Sequence, residues 1–157
     1  MGEARRFLRT NFDEGCTCPA CGQHVQRYKR PITWGMAYGL IALYMWHKKV
    51  NYTSWCHVEN YLKDMHCAAS VRGDFPKLRF WGLIDSKSEE GPDGRLDGVG
   101  FYRITDKGMW FVEGKMKVFS HAIIYNNKCA GFSDKEITIK DALKKKFDYS
   151  KLIKGEL

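Results

Sequence analysis

Downstream of Thr33 the apolar positions recur at helical spacing. Met36, Leu40, Leu43 and Trp46 fall on one face, while Ala37, Ile41 and Tyr44 make the adjoining face apolar too. The spacing therefore predicts a helix lying centrally in the fold, with Thr33 as its N-cap. The uncharged stretch from Pro31 to His47 contains Gly35 and Gly39. It falls short of the roughly 20 apolar residues that cross a bilayer, so it reads as a buried helix and not as a membrane span.

After the polar break at Lys48 to Asn51, the positions Val58, Tyr61, Leu62 and Met65 predict a second amphipathic helix over Ser54 to Cys67. Ser70 to Gly73 reads as a turn. Asp74 reads as the N-cap of a third helix that tolerates Pro76 in its first turn and ends near Gly82. Phe75, Leu78, Trp81 and Leu83 face inward in this reading, and Lys77 and Arg79 face outward.

Leu83 and Ile84, a polar loop from Asp85 to Gly98, and Val99 to Ile104 then read as two short strands around a long loop, a β-ribbon or wing. Thr105 caps a short helix over residues 106–112. Three helices followed by a wing is the order of a winged helix-turn-helix. In the remainder, Val118 to Tyr125 and Lys128 to Phe132 flank Asn126-Asn127, a hairpin signal because Asn tolerates positive φ. Ile137 to Ile139 reads as a third strand, with short basic helices over Asp141 to Phe147 and Tyr149 to Ile153. The expected fold class is α+β: a cysteine-bearing segment 1–34, a winged-helix domain 35–112, and an α+β extension 113–157 packed on it.

Composition agrees with a folded chain of one domain, or one domain with a small appendage. Of its 157 residues 44% are hydrophobic and 14% aromatic, enough for a core. The net charge of +8 favours a polyanionic partner. Nucleic acid is the first expectation, and an acidic protein surface satisfies the same arithmetic. No apolar stretch follows Met1 before Glu3, Arg5 and Arg6, so no signal peptide is expected and the cytoplasm is the expected compartment. In that reducing setting the six cysteines read as metal ligands or redox groups and not as disulfides.

The run Cys16-Thr17-Cys18-Pro19-Ala20-Cys21-Gly22 carries the strongest chemical signal. Zinc prefers thiolate and imidazole in a tetrahedral shell, and a Cys-x-x-Cys turn followed by Gly lets two sulfurs converge on one ion. Cys16 supplies a third thiolate. The expected cofactor is one structural Zn2+ on Cys16, Cys18, Cys21 and His57, where His57 would tie the knuckle to the helical part. His24, Cys56, His66 and Cys67 are the alternatives for the fourth donor. A thioredoxin-like dithiol is the rival reading, but no buried strand precedes Cys18.

Several spellings resemble a family of uncharacterised bacteriophage and prophage proteins. They are Cys18-Pro19-Ala20-Cys21-Gly22-Gln23, Tyr28-Lys29-Arg30, Phe80-Trp81-Gly82-Leu83-Ile84, Arg103-Ile104-Thr105-Asp106-Lys107-Gly108, Ile124-Tyr125-Asn126-Asn127, Gly131-Phe132-Ser133 and Lys145-Lys146-Phe147-Asp148-Tyr149. The resemblance covers the chain from about Asn11 onward. It implies a phage-type origin and action in the cytoplasm of a bacterial host. Leu78 to Gly108 also looks like the passage from recognition helix to wing in winged-helix regulators.

Lys77 and Arg79 are the expected base-reading residues, with Arg27, Lys29 and Arg30 on phosphates. The wing opposes ordinary docking, because Glu89, Glu90, Asp93 and Asp97 outnumber Lys87 and Arg95. Most of the aromatic residues sit at helical or strand spacing and read as core. No Walker-type loop, His-Glu-x-x-His or nucleophile elbow occurs, and a ββα-metal nuclease would need a histidine after His121, the last one. The expected activity is duplex DNA binding in a regulatory role, without catalysis. The alternative is a phage effector that binds and inhibits a host protein, such as RNA polymerase or a defence or CRISPR nuclease. A homodimer is compatible with either.

Overall fold

A computed structural model describes residues 2–11, 15–125 and 128–155. The fold is mixed α and β. The chain forms two compact units, Met1–Pro31 with Phe119–Lys135, and Ile32–Val118 with Glu136–Leu157. Both are discontinuous, whereas the sequence divides most naturally into three consecutive segments. The physical reason is one long-range pairing. Strand β3 (Tyr28–Pro31) bonds antiparallel to β9 (Val118–Tyr125), with Tyr28 opposite Ile124 and Pro31 opposite His121.

The larger unit holds the core. Helix α2 (Trp34–Lys49) begins at Thr33, whose hydroxyl accepts the backbone N–H of Met36. Residues 35–44 of α2 are all buried. This helix packs on α4 (Ala69–Asp74), α5 (Asp106–Val112) and α6 (Ile139–Leu143). Gly35 and Gly39 lie one turn apart where neighbours come closest. A Cβ on Gly35 would stand 3.3 Å from Val71, and one on Gly39 would stand 2.9 Å from the Phe75 ring.

The second helix is shorter than the periodicity suggests. Cys56 and His57 form strand β4, and α3 covers only Val58–Asp64. The expected turn at Ser70 to Gly73 is instead helix α4, and Phe75–Trp81 is a 3-10 helix. Its buried residues Phe75, Leu78 and Trp81 recur every third position. That period matches 3.0 residues per turn and not 3.6. Asp74 makes no side-chain cap there; its carboxylate takes Lys77 instead. Gly82, at φ +72°, ends the segment in the left-handed region that favours glycine.

Strands β5 (Ile84–Ser86) and β8 (Phe101–Ile104) pair antiparallel, and β4 joins the far side of β8, giving the order β4-β8-β5. The ribbon tip pairs β6 (Glu89–Glu90) with β7 (Leu96–Asp97). Thr105 links this sheet to α5. Its hydroxyl accepts Gly108 N–H at 3.0 Å and donates to the Gly82 carbonyl at 2.6 Å. Gly108 is required there, because a Cβ would collide with the Leu83 carbonyl oxygen. Helix α7 (Tyr149–Leu152) is tied to this unit by Tyr149, whose hydroxyl donates to the Val112 carbonyl at 2.6 Å.

The smaller unit contains α1 (Gly2–Asn11), a hairpin of β1 (Cys16–Thr17) with β2 (His24–Val25), and a sheet ordered β10-β9-β3, where β10 is Lys128–Ile137. The hairpin signal Asn126-Asn127 lies outside the described residues; the strand before it is present as read, and the one after it continues past Phe132 to Ile137. Ile137 ends β10 instead of starting a third strand, and Thr138 caps α6. Among those of its residues whose side chains are described, the buried apolar ones are Cys18, Ala122 and Ile124. Among the described residues no helix is long and apolar enough to cross a membrane.

Candidate metal knuckle and binding surfaces

The cysteine run folds as a tight hairpin. Cys18 N–H donates to Gln23 O at 2.7 Å, and Gly22 N–H donates to Cys18 O at 2.9 Å, with Gly22 at φ +74°. This turn directs the backbone N–H groups of Cys21 and Ala20 at the Cys18 sulfur. They lower the thiol from its ordinary range, with help from the Cys21 side chain. A sulfur held this way suits a thiophilic cation, since thiolate is the ligating form. Cys16 is half-buried and Cys21 exposed.

The structure places Cys16, Cys18 and Cys21 in one short hairpin. Among the described residues, however, no three His, Cys, Asp or Glu side chains gather into a metal-holding group. His24 pairs opposite Thr17, and Cys16 pairs opposite Val25, so strand alternation turns His24 to the face away from Cys16. His57 belongs to the larger unit, where it caps α3. Its Nδ1 accepts the backbone N–H of Asn60 at 3.3 Å and its ring packs edge-on to Phe101. Cys56 is buried, and burial pushes its thiol up to about 12. Cys67 is also raised by burial, against the opposing effects of the Tyr38 hydroxyl and Arg72. His66 is exposed, at φ +60°.

The basic residues singled out by the sequence fall on two surfaces. Lys77 Nζ lies 2.7 Å from Asp74 Oδ1, and exposed Arg79 lies over the Phe80 ring at 4.8 Å. Both belong to the 3-10 segment of the larger unit. Lys29 and Arg30 belong to β3, which is exposed along its whole length. The register pairs Lys29 with Ile123 and Arg30 with Ala122, so these two cations point to opposite faces of the smaller sheet.

The sequence drew attention to His121 only as a nuclease ligand, and to none of the other contents of that sheet. Phe119 and Phe132 stack with ring centres 6.0 Å apart and planes within 16°, and each stays 39% exposed. His121 Nδ1 lies 2.8 Å from Asp134 Oδ2 and 2.8 Å from Ser120 Oγ, while Asp134 Oδ1 also receives Lys29 at 3.5 Å. Asp134 takes φ +68°, unusual for a residue with a Cβ. A cavity of about 600 Å³ is lined by Gln26, Arg27, Tyr28, Lys29, Ile123 and Ser133. The Ser133 hydroxyl is closed to solvent and meets no hydrogen-bond partner. The only advance signal was an alternation from 118 to 125 that leaves Phe119 on the open face.

The larger unit has a cleft of about 680 Å³ between Tyr52 and Trp110, with Asp85, Arg103, Asp106 and Lys107 on its walls. Two of these charges meet each other, since Arg103 lies 3.6 Å from Asp85 and over the Trp55 ring at 4.4 Å. Comparison of the chain with protein-family models, with curated proteins and with solved structures gave no match, so the functional reading rests on the geometry above.

Proposed function

We propose that the larger unit is a winged-helix domain of phage type that binds duplex DNA in a regulatory role, and that the smaller unit is stabilised by a structural zinc ion. The observation supporting the first part is the strand order β4-β8-β5 within the succession helix, strand, helix, helix, 3-10 helix, strand, ribbon, strand. In this reading the segment before the ribbon, Phe75–Trp81, meets the groove through exposed Arg79 and half-exposed Lys77, in the position helix-turn-helix readers use. Arg79 is the direct contact. Lys77 exchanges Asp74 for phosphate at little cost, since a solvent-facing ion pair is worth about 0–1 kcal/mol.

The acidic ribbon does not approach the phosphates in this reading, so docking is through the helical side. Titration of a labelled duplex with the wild type and with Arg79→Ala tests it. The expected result is salt-dependent binding that weakens at least fivefold or so in the variant. No binding at low salt overturns it.

Zinc is supported by need as well as by chemistry. A unit whose described apolar burial is limited to Cys18, Ala122 and Ile124 gains little from a core, and small units of that kind require a staple. Cys16, Cys18 and Cys21 are the proposed thiolate ligands. A closed site contributes folding energy and performs no reaction. Metal analysis of wild type and of Cys16→Ser, Cys18→Ser and Cys21→Ser tests it: wild type holds one zinc and each variant loses it, and a wild type without zinc overturns the reading.

A second reading, an effector that binds a host protein, is favoured by one feature of the ribbon. Leu96 and Val99 stay 64% and 59% exposed beside Glu89, Asp93 and Asp97, an apolar and acidic combination suited to a protein partner. A protein retained after nuclease treatment by the wild type and lost by Leu96→Ser/Val99→Ser supports it. Loss on nuclease treatment alone counts against it.

A further inference from the structure

We propose that the three-stranded sheet of the smaller unit is a docking surface for single-stranded nucleic acid. Bases stack beside the Phe119–Phe132 pair, and Lys29 and Arg27 hold the phosphates. This surface is separate from the duplex-binding segment and does not depend on it.

Three observations carry the inference. The first is charge. The smaller unit is 48 residues long and has eight Lys or Arg against four Asp or Glu, half of the chain's net +8 on less than a third of its length. A strand of phosphates is the complementary partner.

The second is aromatic exposure. In a sheet whose alternate residues Ala122 and Ile124 are buried, Phe119 and Phe132 remain 39% exposed and parallel. A stacked pair offers a flat edge on which a base continues the stack, and such contacts tolerate any base because every base has a π-face.

The third is the arrangement of polar groups around the rings. Register places Lys29 on the same face as Ile123, and strand alternation puts Phe119 and His121 there too. Beside them is the cavity lined by Gln26, Arg27, Tyr28, Lys29, Ile123 and Ser133. Asp134, which borders the rings, is engaged by His121 and Lys29. Its pairing with Lys29 is long and exposed, so phosphate displaces it at little cost.

Duplex is the poorer occupant, because its bases are already stacked on one another and have no face free for Phe119 or Phe132. An acidic protein satisfies the charge but leaves the stacked rings unexplained.

The test is fluorescence anisotropy with the full chain and a labelled oligothymidine of about twenty nucleotides, longer than one small-domain site. Wild type binds with a negative salt dependence. Phe119→Leu/Phe132→Leu keeps apolar bulk but removes the ring faces, and weakens binding about tenfold. Phe132→Tyr, which keeps a ring, retains wild-type affinity and guards against a folding artefact, with melting temperature followed for each variant. Lys29→Gln lowers the salt slope by about 0.7, whereas Arg30→Gln, on the opposite face, has the smaller effect.

Arg79→Ala leaves oligothymidine binding unchanged, so loss of the duplex activity and loss of this one are separable. The proposal is overturned if oligothymidine does not bind, if the folded double-leucine variant binds like wild type, or if inorganic polyphosphate binds as tightly as the oligonucleotide.

Discussion

The buried imidazole of His47 accepts the backbone N–H of Ile104 on Nε2 at 3.1 Å, while its Nδ1 donates to the carbonyl of Asn51 at 2.8 Å. Both ring nitrogens are used, which requires the neutral ring with its proton on Nδ1. The contact fastens the end of α2 to β8, the central strand of the β4-β8-β5 sheet. Replacing His47 with Leu leaves the buried Ile104 N–H without an acceptor, whereas the exposed Asn51 carbonyl keeps the Ser54 N–H. A loss of about 1–3 kcal/mol is expected, the cost of one such buried group. Urea denaturation monitored by tryptophan fluorescence measures it.

The same residue gives a pH dependence. Burial first, and Arg103 second, lower His47 below its ordinary 6.5, against the opposing effect of the Asn51 carbonyl. The unfolded chain therefore takes the proton before the folded one. Its contribution is fully present above about pH 6.5 and is lost as pH falls from there toward the lowered folded value. Wild type should lose stability between pH 7 and pH 5 by more than His47→Leu does, and parallel denaturation series at the two pH values decide this.

Gly39 should resist substitution, although Ala is the better helix former by about 1 kcal/mol. Its Cβ would meet the Phe75 ring at 2.9 Å, and that ring is buried with its edge against Tyr102. Overpacking of this kind costs about 1–3 kcal/mol, so Gly39→Ala is expected to lower the melting temperature. Gly73, in α4 with open space around its Cβ, is the control. Gly73→Ala should raise stability by up to about 1 kcal/mol.

The thiols should divide by environment. Cys56, pushed up to about 12 by burial, stays unreactive toward iodoacetamide in the native protein. Chelation should release one zinc per chain, lower the melting temperature and open Cys18 and Cys21 to labelling. Cys18→Ser is expected to lose the ion and Cys56→Ser to keep it. Unchanged melting and labelling after chelation would remove the metal from the account. Mass spectrometry of labelled peptides reads the thiols, metal analysis the ion, and thermal denaturation the stability.

The local features were legible in the sequence because their causes are local. Thr33 and Thr105 cap the helices expected of them through hydroxyls that reach only three residues onward. Gly82 and Gly22 stand where the chain turns left-handed, and the apolar run after Thr33 is the most deeply buried helix. The ribbon between Ile84 and Ile104 was visible as two apolar ends around a polar loop.

Tertiary structure decided the rest, because pairing partners far apart leave no local period. β4 is two residues long and is a strand only because β8 bonds to it. The run around Tyr28 and Arg30 read as a basic patch, and became an edge strand by meeting β9 some ninety positions later. That pairing places Lys29 and Arg30 on opposite faces and gives the smaller unit its discontinuous boundary. The juxtaposition of Phe119 with Phe132, and of His121 with Asp134, comes from the pairing of β9 with β10, in which Asp134 takes a left-handed φ. Residue types and spacing set which elements could form; the hydrogen-bonded register between distant strands set which side chains meet.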